Sequence, residues 1–211
     1  MSRQKTITLT PQALDVDYIS TAEALTTPWA LQLDGVTTLT TPQHVTLTSS
    51  TDESGQTFTI VGTDRYGFAQ TEGLVGGTAG ATVVSVLNYA TVTSITGTAD
   101  ATAMTAGVDG TCESGWFVLN YRGNDFSVGL GLDFTLGTGV GTASVEHTFQ
   151  NVLTTGFLEG DATVYVHDAI TGKSADFDGN YTNPPVACRL AITAYTSGSI
   201  SLHVVQSGSR S

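Results

Sequence analysis

The amino-acid sequence predicts an all-β protein, built of two tandem antiparallel β-sandwich domains (jelly-roll or immunoglobulin-like) with an extended N-terminal arm. Three observations carry this. Of 211 residues, 37 are Thr and 24 are Gly, while Lys occurs twice; β-branched side chains suit a pleated, half-buried surface, and strong helix formers are scarce. Apolar and polar residues alternate with period 2 over short runs. Gly and Asp turns separate those runs at regular spacing, as in sandwiches and barrels.

Thr6–Thr10 alternates and stops at Pro11. Pro11 to Pro28 has irregularly spaced apolar residues (Leu14, Val16, Ile19, Leu25), and one or two helical turns are expected around Ser20–Leu25. Residues 1–28 are therefore read as an arm, ordered on a partner rather than on the rest of the chain. Strands are expected at Trp29–Leu33, entering an Asp34-Gly35 turn, and at His44–Ser49, Thr57–Val61, Phe68–Leu74, Val83–Val86 and Ala90–Ile95, with a bend near Asn88. They form a first sandwich over 29–110. Gly97–Gly107 is small and weakly patterned and reads as the transition between halves, with one more strand as the alternative. The second sandwich, 111–211, takes strands from Trp116–Tyr121, Phe126–Leu136, Val140–Phe149, Ala162–His167, Ala187–Ala194 and Ser199–Val205. Gly137–Gly141 reads as a flexible hairpin loop. Tyr181–Pro185 reads as a stiff one, because proline fixes φ and removes a donor.

Charge excludes several functions. Seven Lys+Arg against 19 Asp+Glu give 7 − 19 = −12. Nucleic-acid binding needs cations that displace counterions from phosphates, so no nucleic-acid partner is expected. An anionic membrane surface is disfavoured for the same reason, and no apolar run reaches the ~20 residues that span a bilayer, so no membrane partner is expected either. The N-terminal cations are not followed by an apolar stretch, so no leader peptide is expected. Cys112 and Cys188 are expected as buried thiols rather than a bridge.

No catalytic constellation emerges, so no enzyme, catalytic residue, cofactor or metal is expected. His44, His147, His167 and His203 lie in or beside strand runs without paired spacing. His147 and His167 flank the same predicted sheet, yet zinc needs three or four convergent ligands. Cys188 beside Arg189 suggests an activated thiol, but Val186, Cys188, Leu190 and Ile192 share one strand face, which reads as core. Asp176-Phe-Asp-Gly-Asn180 resembles part of a calcium loop without its closing carboxylate and reads as a turn. Gly76–Gly80 lacks the Lys of a phosphate loop and reads as a glycine hairpin. Asn180-Tyr-Thr is formally a glycosylation sequon. Trp29, Trp116, Phe117, Tyr121, Phe126, Phe134 and Phe149 are expected to pack the cores. Few lysines guard the strand edges, which suggests edges covered by partners.

Several stretches resemble structural proteins of tailed bacteriophages. These are Ser54-Gly-Gln-Thr-Phe-Thr-Ile-Val-Gly-Thr-Asp-Arg-Tyr-Gly67, Gln70–Gly76, Tyr89–Ile95, Phe126–Gly131, Ala143–Phe149, Asn180–Leu190 and Thr196–Gln206. The resemblance implies a β-sandwich virion protein assembled in the bacterial cytoplasm, with reduced cysteines and no catalytic residue. The role expected first is a capsid decoration (cement) protein, a homo-oligomer bound to the major capsid protein or other virion proteins. A tail, head-fibre or adaptor component is the alternative. From another class comes a carbohydrate- or host-surface-binding module, with exposed aromatics beside Asp176–Asp178.

Overall fold

The computed structural model describes residues 3–27, 29–121, 127–135, 140–154, 157, 160, 162–183 and 185–206. Among them the chain is all-β, without an α-helix. In chain order the strands are β1 (Arg3–Leu9), β2 (Asp15–Leu25), β3 (Thr38–Thr48), β4 (Thr57–Thr63), β5 (Ala69–Val75), β6 (Thr82–Gly97), β7 (Ala101–Val108) and β8 (Cys112–Glu113). Then come β9 (Phe117–Val118), β10 (Val128–Phe134), β11 (Gly141–Thr148), β12 (Tyr165–Val166), β13 (Phe177–Tyr181), β14 (Ala187–Tyr195) and β15 (Ile200–Gln206).

The chain divides into two compact units. Pro11–Cys112 forms an inserted unit; Met1–Thr10 and Glu113–Ser211 form a terminal unit around it in sequence. The expected arm and the boundaries at 28 and 110 are thus replaced. β1 belongs to the terminal unit, where it pairs antiparallel with β15 from Arg3↔Gln206 to Leu9↔Ile200. β2 belongs to the inserted unit, with Ile19 and Leu25 in its core.

The inserted unit is one antiparallel sheet in the order β2-β7-β3-β6-β4-β5. Its alternation is cleanest in β4, where Phe58 and Ile60 point inward between outward threonines. The 16-residue β6 pairs with β3 through its first half and with β4 through its second, and its register on β3 shifts near residues 84–88. Extra residues in a ladder bend the strand, so the bend expected near Asn88 falls inside one strand. The apolar faces close on a core that includes Phe58, Ile60, Tyr89, Met104 and Leu47, each 1% exposed or less. Complete burial of such a side chain contributes about 2 kcal/mol.

Three expectations fail here for physical reasons. Ser20–Leu25 is strand, not helix: β2 pairs with β7 through three register shifts, and these scramble the alternation that identifies a strand. Gly97–Gly107 is not a transition but holds the alternative strand: β7 is flanked by β2 and β3, and its small residues fit that crowded position. Trp29–Leu33 is not a strand but a crossing segment. It is anchored by one bridge, Ala30↔Thr96, by Leu31 N–H on the Ile95 carbonyl, and by Trp29 Nε1 donating to the Ala99 carbonyl at 2.7 Å.

The terminal unit holds two sheets, β1-β15-β10-β13 and β12-β11-β14-β8, with β9 also on β14. Leu130, Leu132, Leu190, Ile192, Leu202 and Val204 are buried. Residues 137–139 of the expected hairpin loop, Pro184 and Phe126 lie outside the described residues.

Candidate functional site

The sequence-selected groups of the terminal unit gather around Tyr181. His147 on β11 stands opposite both Tyr165 on β12 and Cys188 on β14. Its ring stacks on Tyr165 at 5.8 Å between centroids and meets Phe149 and Tyr181 edge-on at 5.5 and 5.2 Å. His167 meets the other side of the group, 4.9 Å from Tyr181. His167 Nδ1 accepts the Ala169 and Ile170 amides, so Nε2 carries the hydrogen and donates to the Asn180 carbonyl. His147 Nδ1 and the Tyr181 hydroxyl are buried without a hydrogen-bond partner. Burial, then the neighbouring His167, holds His147 below the usual histidine range against an opposing pull from Asp168. Burial pushes the Cys188 thiol up to about 12. It is an inert core thiol, and Cys112 is likewise buried and outside any disulfide.

Asp176–Asn180 is neither calcium loop nor turn. Its residues run into β13 on β10, and Asp176 Oδ1 caps the Phe134 amide. Among the described residues no three His, Cys, Asp or Glu converge as metal ligands. The other two histidines serve locally: the imidazole of His44 bonds Thr111 and that of His203 bonds Thr6. Phe149 is 56% exposed instead of core, and Tyr165 is 49% exposed. Hydrogen bonds set Leu119 beside Val186 and Val186 beside Thr148. Beyond that row lies a hollow of about 350 Å³ lined by Leu119, Asn120, Tyr121, Asn151 and Leu153.

In the inserted unit the glycine hairpin serves a buried carboxylate that sequence reasoning missed. Glu53 is 6% exposed. Burial alone would raise its carboxyl, yet hydrogen bonds from Thr51, Gln56 and Ser49 and from the Thr102 amide hold it below the usual range. Ser49 and Thr51 donate at 2.9 and 2.6 Å, and Gln56 Nε2 donates to the second oxygen. Gly76 passes so close that an added Cβ would strike the Glu53 carbonyl. Gly80 turns the chain at φ 74°. The one sequence signal was the density of polar residues in 49–56, which reads as an ordinary turn.

The remaining feature is the outer edge of β5. β5 pairs with β4 at seven consecutive residues, Ala69↔Thr63 to Val75↔Thr57, without a bulge. Its inward polar residues are committed to the bent part of β6. Glu72 accepts the Val86 and Leu87 amides at 2.7 and 3.1 Å, and Gln70 donates to the Asn88 carbonyl at 2.8 Å. Ala69, Thr71, Gly73 and Val75 face solvent. Exposed Tyr66, Phe68 and Val86 lie beside them.

The other sheet edges are guarded. β2 is broken by register shifts and carries Asp15, Asp17 and Glu23. β1 carries Lys5. β13 carries Asp178 and has its Asn180 carbonyl taken by His167. β8, β9 and β12 are two residues long. Bulges, charge and shortness are the devices that keep edges from pairing; β5 is seven residues long without a bulge, and its single charge, Glu72, is engaged by the Val86 and Leu87 amides.

No family model, curated protein or solved structure matches the chain.

Proposed function

We propose that the protein is a non-enzymatic structural component of a tailed-phage virion, first of all a capsid decoration protein that assembles through its strand edges. The observation that carries this reading is the unguarded, seven-residue edge of β5 with exposed Tyr66, Phe68 and Val86 beside it. Its support from sequence is the likeness of Ser54–Gly76, which spans β4 and β5, to phage structural proteins. The net charge of −12 suits a basic site on the shell. The test is to add purified protein to particles that lack it and image them by cryo-electron microscopy. Regular density over the capsid lattice is expected. Density only at the portal vertex or tail would move the protein to the adaptor or fibre class, and no density anywhere would remove the virion reading.

A second reading rests on the terminal unit. Half-exposed Phe149 and Tyr165, and a hollow whose polar lining is two neutral amides and a phenol, suit a neutral saccharide better than an ion. A glycan array tests it. Since Asp176–Asn180 is strand, binding through this hollow is expected to survive a chelator.

A further inference from the structure

We infer that the β5 edge pairs with the β5 edge of a second copy of this chain, antiparallel about a two-fold axis at Thr71. This deepens the assembly reading by naming the partner of that edge, and it rests on the edge being a contact site, not on the identity of the particle.

Three observations support it. The edge is regular and unguarded, while the other edges carry a blocking device. Its lone charge is already directed inward, because Glu72 is held by two backbone amides of β6. The strand is also self-complementary. With the axis at Thr71, Thr71 meets Thr71 of the second copy, Ala69 meets Gly73, Gln70 meets Glu72, and Phe68 meets Leu74.

Thr–Thr and apolar pairs across antiparallel strands are stabilising, and like charges directly opposite are not. An axis at Glu72 would set carboxylate against carboxylate, which the Thr71 register avoids. Phe68, 70% exposed in the single chain, then gains an apolar neighbour. A two-fold contact uses one patch twice and closes on itself. Each copy carries −12, so salt screening strengthens the pair.

Sedimentation equilibrium with the full chain tests the proposal. A mass of twice 21.9 kDa is expected, with dissociation weakening as salt rises. Thr71→Lys sets two cations on the axis and is expected to raise the dissociation constant about tenfold or more, with the circular dichroism of the folded chain retained. Thr71→Cys provides an independent readout. Residues opposite one another in an antiparallel pair have Cα atoms ~4.5–5.5 Å apart, within disulfide range. Oxidised glutathione should therefore link Thr71→Cys into a covalent dimer but leave Ser54→Cys monomeric.

A monomer of 21.9 kDa at every concentration would overturn the proposal. So would an oligomer that Thr71→Lys leaves intact and Thr71→Cys does not cross-link. A monomer that still decorates particles, and loses decoration with Thr71→Lys, would assign the edge to another virion protein. That result overturns the second copy while leaving the virion reading standing.

Discussion

Two buried polar centres, one in each unit, solve the same problem in opposite ways. Glu53 in the inserted unit keeps its charge, because side-chain and backbone donors converge on it. His147 in the terminal unit sheds its charge, because aromatic rings surround it and its Nδ1 has no partner. Burial sets the cost, and the hydrogen-bond inventory decides whether it is met.

The largest expected effect breaks the first centre. Glu53→Ala leaves Ser49, Thr51 and Gln56 facing an empty acceptor and should cost the inserted unit about 3 kcal/mol in urea unfolding. Glu53→Gln sharpens the point. It keeps the shape but turns an NH₂ group toward donors, so it should recover little of the loss. Full recovery would mean that the charge is not what the donors hold. The two tryptophans separate the readouts, since Trp29 lies in the inserted unit and Trp116 in the terminal unit. Trp116→Phe and Trp29→Phe backgrounds each report one unit by fluorescence.

Acid should separate the centres next. Both groups bind protons less readily folded than unfolded, so each contributes stability that is present above its unfolded pKa and lost as pH falls. For His147 the loss begins near 6.5, and for Glu53 near 4.5. The terminal unit should therefore weaken first on acidification. Asp34, Asp52 and Asp100, held low by hydrogen bonds from Thr21, Ser54 and Thr27, add to the later loss in the inserted unit. His147→Phe should remove the earlier loss and stabilise the terminal unit by about 1 kcal/mol near pH 5. An unchanged profile would take His147 out of the account. The smallest effect is on Cys188, whose thiol should resist iodoacetamide at pH 8 in the folded protein and react only as the terminal unit opens.

The strands legible in the sequence were those with one wet and one dry face. Thr57–Val61 and Ser199–Val205 keep regular ladders, on β5 and on β1 and β10, while Val140–Phe149 was legible despite a register shift at Thr142 and Ala143. What escaped notice had a local cause each time. β2 lost its alternation to register shifts. β7 is central but small, with Ala101, Ala106 and Gly107 where bulk would not fit. β13 is made of turn-forming residues, Asp178, Gly179 and Asn180, held extended by β10. At the candidate sites, the pairing of His147 with His167 showed in their flanking positions. The donors around Glu53 did not: Ser49, Thr51 and Gln56 read as an ordinary polar turn, and Thr102 reaches it only through the fold.

The pairing of β1 with β15 has a consequence for synthesis. Residues 3–9 leave the ribosome well before their partner, residues 200–206, with the whole inserted unit made between them. The inserted unit has every strand of its sheet in hand by Val108, well before the terminal unit can close. Domains fold as units in the order their chains become complete, so β1, made before the inserted unit, is still waiting for its place when that unit closes. Until then β1 is a strand without its partner, with Lys5, Thr6 and Thr8 exposed along it.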